Sequence, residues 1–151
     1  MTSFDTANVH FQRALQFVNQ TGRHIFLTGK AGTGKTTFLR YIRENCFKKM
    51  AVVAPTGVAA INAGGTTLHS FFQLPFGPYL PTHHSTTGET QVTNEHTLFR
   101  NLKFSSSKRE LLQELELLRI DEVSMMRADT LDAIDTSVRH FRKPPLVPCG
   151  G

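Results

Sequence analysis

Gly29-Lys30-Ala31-Gly32-Thr33-Gly34-Lys35-Thr36 constrains this chain more than any other stretch. It satisfies the phosphate-cradling pattern G-x-x-x-x-G-K-[ST] in full, and both flanks suit it. His24-Ile25-Phe26-Leu27-Thr28 before it reads as a short apolar strand. Thr37 to Arg43 after it carries helical spacing, with Phe38, Leu39 and Ile42 on one face. Glycines let the backbone turn its N–H groups inward around phosphate oxygens, and the helix N-terminus adds a favourable dipole. In that chemistry Lys35 reaches the β- and γ-phosphates of a nucleoside triphosphate, and the Thr36 hydroxyl holds Mg2+. The plain alternative is a glycine-rich turn that binds nothing. The complete motif between two correct flanks argues against it.

A chain of 151 residues has room for one domain with a real core. There is no Trp, but twelve Phe can fill that core. No apolar run approaches a membrane span, and Met1-Thr2-Ser3-Phe4-Asp5 lacks the basic-then-apolar signal pattern. Cys46 and Cys149 lie far apart and match no metal spacing, which points to a reducing compartment and no metal cluster. His83-His84 reads as part of a solvated loop. The net charge of +5 is unevenly spread. Residues 1–50 hold eight Lys/Arg against two acids, residues 51–99 hold no Lys or Arg, and residues 100–151 are nearly balanced. A basic chain invites a nucleic-acid partner. Arg40, Arg43, Lys48 and Lys49 facing water on one helix would account for the charge equally well.

Residues 5 to 20 read as an amphipathic helix, capped by Asp5 or Thr6 and ended by Thr21-Gly22, with Phe11, Leu15 and Val18 at helical spacing. Met50 to Ala54 is a buried strand stopped by Pro55. Thr56 to Ile61 begins a short helix broken at Gly64-Gly65, and Thr66 to Phe72 reads as another. Residues 73 to 105, rich in Pro, Gly, Ser, Thr and His, read as a long irregular excursion or a small insertion. Ser107-Lys108-Arg109-Glu110 has the form of a capping box ahead of Leu111, Leu112 and Leu115. Leu117 to Ile120 is a third strand. Ala128 to Phe141 is a helix with Leu131, Ile134, Val138 and Phe141 on one side. Strands alternating with helices around a phosphate loop imply an α/β fold with a parallel sheet flanked by helices.

Asp121-Glu122 follows an apolar strand, where a sheet of this class places ligand-binding residues. Asp121 would hold Mg2+ through its hydration shell, and Glu122 would orient and deprotonate an attacking water. Hydrolysis of a γ-phosphate needs little beyond such positioning and charge neutralisation. Alone, an Asp-Glu pair is usually solvated; its weight comes from the phosphate loop upstream. Arg119 is the misfit, a cation inside a run that should be buried, so either that face is open or Arg119 reaches a partner.

Together these residues resemble a family. Phe26 to Thr36 resembles motif I of the PIF-type (petite integration frequency) DNA helicases, relatives of RecD and Dda in helicase superfamily one. Ala54-Pro55-Thr56-Gly57-Val58-Ala59-Ala60-Ile61-Asn62-Ala63-Gly64-Gly65-Thr66-Thr67-Leu68-His69-Ser70-Phe71 looks like its motif Ia almost residue for residue, and Ile120 to Met126 resembles its motif II. The phosphate loop is common to many families, whereas motif Ia is highly specific. The resemblance covers nearly the whole chain and is loosest between residues 75 and 105.

The resemblance implies the N-terminal, RecA-like motor domain of a phosphate-loop NTPase that couples ATP and Mg2+ to five-prime to three-prime unwinding. Such work belongs to DNA repair, recombination and telomere-type genome maintenance. It implies ATP contacts from Gly29, Lys30, Ala31, Gly32, Thr33, Gly34, Lys35, Thr36 and Thr37, Mg2+ at Thr36 and Asp121, and catalysis by Lys35 and Glu122. Single-stranded DNA or a junction would meet Pro55, Thr56, Gly57, Thr66, Thr67 and His69; hydroxyls and backbone N–H groups can serve phosphates there without Lys or Arg. For His69 a satisfied core or capping role is the alternative. Residues 75 to 105 would be the counterpart of a duplex-splitting wedge, or only a loop. The family's adenine-reading Gln falls at Phe11, with Gln12 beside it. Relatives continue into a further strand with a Gly-Asp-x-x-Gln motif and a second motor domain, which supplies an arginine worth ~10³–10⁵ in rate in other phosphate-loop enzymes. The expectation is a domain truncated before that strand and unable to unwind DNA by itself. A free-standing ATP-binding module or switch is the second reading, and a small phosphotransferase sharing only the loop is the third. The setting would be the bacterial cytoplasm and nucleoid, or the nucleus or mitochondrion of a eukaryote, with no membrane contact.

Overall fold

The computed structural model describes residues 8–81 and 92–142. The chain divides into two compact units, Met1–Lys48 and Lys49–Gly150.

The first unit is built on helices α1 (Val9–Gln20) and α2 (Lys35–Asn45). Asn8 caps α1, its side-chain oxygen accepting from the N–H groups of His10 at 3.0 Å and Phe11 at 3.4 Å. The cap is therefore Asn8 and not Asp5 or Thr6, which lie outside the described residues; an Asn directly before the first turn satisfies the same orphan donors. Thr21 ends the helix, donating from its N–H and its hydroxyl to the Phe17 carbonyl. The edge of Phe11 meets Phe38 and Tyr41 of α2 at ring separations of 4.8 and 5.0 Å, a favoured aromatic geometry. Val18, Phe38 and Ile42 are buried. Lys48 and Lys49 lie beyond the end of α2, the Lys48 ammonium donating to the Thr21 carbonyl and the Lys49 ammonium to Glu114, so of the four cations expected on one helix α2 carries Arg40 and Arg43.

One expectation for this unit fails. Among the described residues His24–Thr28 joins no ladder, and Ile25, Phe26 and Leu27 are exposed. An apolar run becomes a strand only through a neighbour that takes its N–H and C=O groups and covers its faces. Here it has none.

The second unit contains a parallel sheet in the order β2-β1-β3, formed by β1 (Met50–Ala54), β2 (Thr66–Thr67) and β3 (Leu117–Ile120). The expected parallel α/β fold is present. Val53 and Ala54 pair with Thr66 and Thr67 on one side, and Met50 to Val53 pair with Leu117 to Ile120 on the other. Thr66-Thr67 is thus a strand, and the helix that follows, α4, is confined to Leu68–Phe72. Between β1 and β2 runs α3 (Gly57–Ala63), capped by Thr56 and ended by Gly64 at φ 68°. Gly65 is then needed for closeness: a Cβ there would lie 2.1 Å from the Val52 carbonyl oxygen. Both glycine breaks have a physical cause.

The described parts of residues 73 to 105, 73–81 and 92–105, are more ordered than their composition suggests. Asn94 and Thr97 form a reciprocal capping box that starts α5 (Glu95–Asn101). Tyr79 and Thr93 pair in a parallel bridge, and Tyr79, Leu98, Leu102 and Phe104 are buried. Residues 82–91, the middle of the expected wedge or loop, lie outside the described residues, as do His83-His84 and the tail from Lys143 with Cys149. Helix α6 spans Ser106–Glu114 and is capped by Ser105, two residues before the Ser107 that the box pattern suggested. Helix α7 (Ala128–Phe141) packs against α5 and α6. It buries Ala133, Ile134, Ser137 and Val138, while Leu131 is exposed, so the apolar face is rotated toward small residues. Val53, Leu68, Phe72, Leu98, Leu112 and Ile134 form the centre of the core. No helix among the described residues is long and apolar enough to cross a membrane.

Candidate nucleotide and nucleic-acid sites

In the first unit the loop from Gly29 to Lys35 adopts the turn its glycines permit. Gly32 sits at φ 78° and Gly34 at φ 88°, values that side chains disfavour. Gly34 is the N-cap of α2, so the loop feeds directly into a helix N-terminus. Thr33 turns back on Lys30, its hydroxyl donating to the Lys30 carbonyl at 2.8 Å. The Lys35 ammonium donates to the carbonyls of Gly29 and Lys30, spanning the inside of the loop. The side chains of Thr36 and Thr37 lie on exposed positions of the first turn of α2. Gln12 is exposed on α1, whereas the Phe11 ring is committed to the aromatic packing between the helices.

In the second unit the carboxyl end of the sheet gathers three of the singled-out segments. Pro55-Thr56 leaves the end of β1, Thr66-Thr67 pairs with that end on one side, and Asp121-Glu122 leaves β3 on the other. The Asp121 N–H donates to the Val53 carbonyl at 2.9 Å, extending the ladder by one step. Arg119 finds its partner here. Its guanidinium donates to Oδ2 of Asp121 at 2.9 Å, with side-chain exposures of 11% and 25%. Residues two apart on a strand share a face, so the misplaced cation is the counter-charge of the acid that follows it. Glu122 is exposed at φ 51°, an uncommon conformation for a non-glycine residue and one that clusters at functional sites. It opens the 3-10 turn Val123–Met125.

The threonines of the glycine-rich segment are already employed. The Thr56 hydroxyl accepts from Ala59 N–H, and the Thr67 hydroxyl accepts from Ser70 N–H, each at 3.2 Å. Each hydroxyl keeps its own proton to donate. Thr66 and Gly57 are exposed, and Pro55 is half-buried. His69 is half-buried and stacks on Phe76 with ring centroids 5.5 Å apart and planes within 11°. Pattern reading missed Phe76, because an aromatic between two prolines carries no periodic signal.

Behind this stack the backbone is held by α7. Asp129 accepts from Tyr79 N–H at 2.9 Å and from both Nε and Nη2 of Arg127, at 2.9 and 2.8 Å. Burial works to raise the Asp129 carboxyl, but those hydrogen bonds and the Arg127 charge outweigh it and leave the group below the ordinary range. On α6, burial pushes the Lys108 ammonium down; it lies 3.4 Å from the centre of the Phe71 ring. Among the described residues no group of His, Cys, Asp or Glu has the makings of a metal cluster.

Residues 5–151 match the family model described as PIF1-like helicase. The ATP-dependent DNA helicase PIF1 of Saccharomyces cerevisiae is 33% identical over 141 residues, covering 87% of this chain and 14% of the yeast protein. A Pif1 helicase from Bacteroides, solved with ADP-AlF3 and single-stranded DNA, is 43% identical with a TM-score of 0.74, covering 95% of this chain and 30% of that one. Pif1 from Candida albicans superposes with a TM-score of 0.72 at 31% identity, over all of this chain and 31% of its own. The chain thus spans about a seventh of the yeast relative and under a third of these solved structures.

Proposed function

The chain belongs to the PIF1-like helicase family, and on that premise we propose that it binds Mg–ATP and single-stranded DNA for an ATP-driven five-prime to three-prime DNA helicase. Unwinding is the activity proposed for the whole protein; to residues 1–151 we assign the binding of nucleotide and strand. The observation that carries the nucleotide reading is the loop itself, with Gly32 and Gly34 at positive φ, the N-terminus of α2 behind it and the Lys35 ammonium inside it.

Lys35 would exchange the two loop carbonyls for the β- and γ-phosphate oxygens, a charge-assisted replacement. The loop N–H groups and the start of α2 would take the remaining phosphate charge. Thr36 in the first unit and Asp121 in the second each offer a hard oxygen donor, the kind Mg2+ prefers. Asp121 has one oxygen on Arg119 and another still able to accept from a hydrated cation. When bound, Mg2+ neutralises charge developing on the transferred phosphoryl group. Glu122, exposed just beyond the end of β3, would take the proton of the attacking water. Gln12 offers an amide to the adenine edge from the exposed side of α1.

For the strand, Thr56, Gly57, Thr66 and Thr67 offer hydroxyl and backbone donors to phosphates, with Pro55 setting the turn and His69 presenting a ring. The Bacteroides relative solved with single-stranded DNA supports this reading. DNA repair, recombination and telomere-type maintenance, in the nucleoid of a bacterium or the nucleus or mitochondrion of a eukaryote, complete the proposal on the strength of the family likeness.

The test is a titration of the chain with a fluorescent ATP analogue and Mg2+. Lys35→Ala is expected to abolish binding, and unchanged affinity would overturn the assignment. Glu122→Gln should bind as the parent does and, in the whole protein, lose turnover; undiminished hydrolysis would remove Glu122 from its role.

A further inference from the structure

Phe76 is 85% exposed, yet it is not a stray surface aromatic. One face of its ring is stacked on His69 at 5.5 Å, and it stands in the turn Pro75-Phe76-Gly77-Pro78, with Gly77 at φ 125°. The turn is anchored directly downstream, where Tyr79 N–H donates to Asp129 and the Tyr79 hydroxyl bonds Thr136 at 3.0 Å. An apolar ring is thereby held out in water with its second face uncovered, an unfavourable exposure of apolar surface.

We propose that the Phe76–His69 stack is a platform on which a base of single-stranded DNA stacks, so that Phe76 is a DNA-binding residue. The inference rests on the strand-binding reading above and adds to it a contact with the base in place of the phosphate. Two observations favour a base. Residues 51–99 hold no Lys or Arg, so the segment that carries the stack offers no cation of its own to a phosphate, and Arg127, beside the Tyr79 anchor, is committed to Asp129. Aromatic faces, in contrast, bind every base by its π-face, without sequence preference. The cavity beside the stack, lined by His69, Pro75, Tyr79 and Asp129 among others, measures only about 10 Å³. That is room for one water, so the base lies on the outer ring face and does not insert.

The experiment compares the unaltered chain with Phe76→Ala, using a labelled oligo-dT and an abasic oligomer of equal length as probes in fluorescence anisotropy across a salt series. The expected result is roughly 5- to 100-fold weaker binding of oligo-dT by Phe76→Ala. Binding of the abasic oligomer and the slope against salt should not change, and Phe76→Trp should restore affinity. If Phe76→Ala binds oligo-dT like the parent, the platform is wrong while the strand-binding reading stands. If the unaltered chain binds neither oligomer, the strand-binding reading falls and the platform with it.

Discussion

Arg119 shows how much one residue's meaning depends on its neighbour two places on. In isolation it is a cation in a buried strand; beside Asp121 it is one half of a part-buried ion pair. Removing one partner of such a pair leaves the other poorly compensated, and the Arg stem also packs. Arg119→Ala is therefore expected to lower stability by about 1–3 kcal/mol, read as a drop in urea midpoint. Arg119→Leu should cost less, because an apolar side chain regains burial on the same face. Equal midpoints for Ala and the parent would mean that the pair contributes nothing. Glu122, one residue further, was marked by motif, and its backbone at φ 51° adds a reason that no spacing could have given.

The elements divide by whether their signals are local. β1, β3, α3 and α7 have their expected bounds because a proline, a threonine cap, a glycine or a run of apolar residues acts within a few positions. Gly65 is the clearest case of a local break with a non-local cause. Its hydrogen lies where any side chain would strike the Val52 carbonyl. Gly65→Ala should cost about 2–3 kcal/mol through displacement of α3 from β1, measured by chemical denaturation. A neutral result would show that the two elements separate freely. Helix α5 escaped notice because Asn94-x-x-Thr97 is a weaker capping box than Ser-x-x-Glu, and because the surrounding prolines and glycines outweighed it. Ser105 displaced Ser107 as a cap for a similar reason: with three serines in a row, the cap is chosen by where the helix packs.

At the scale of the whole molecule, acid sensitivity is the most direct reading of the tertiary contacts. Asp129 joins the turn after Phe76 to the start of α7 and is ionised more readily folded than unfolded. A lowered folded value means that its stabilising contribution is complete above the unfolded value and lost as pH falls through the folded one. Stability from this group should stay level between neutral pH and about pH 5 and decline below about pH 4. Asp129→Asn should flatten that acid limb, and an unchanged limb in the variant would assign it to other carboxylates.

Features that act over a few residues could be read directly from the order of amino acids. The phosphate loop carries its glycines, lysine and threonine in one octapeptide, and Pro55 to Phe71 carries its caps and breaks in the same way. Features that depend on distant partners became visible once the chain was folded. His24–Thr28 has strand composition but joins no ladder among the described residues, because pairing is a property of two segments. Phe76 became a candidate through a ring seven residues away and an anchoring carboxylate on α7, contacts that no periodicity announces. Hydrogen bonds along a helix or turn are written in adjacent residues, whereas packing and cross-strand pairing are written in the path the chain takes between them.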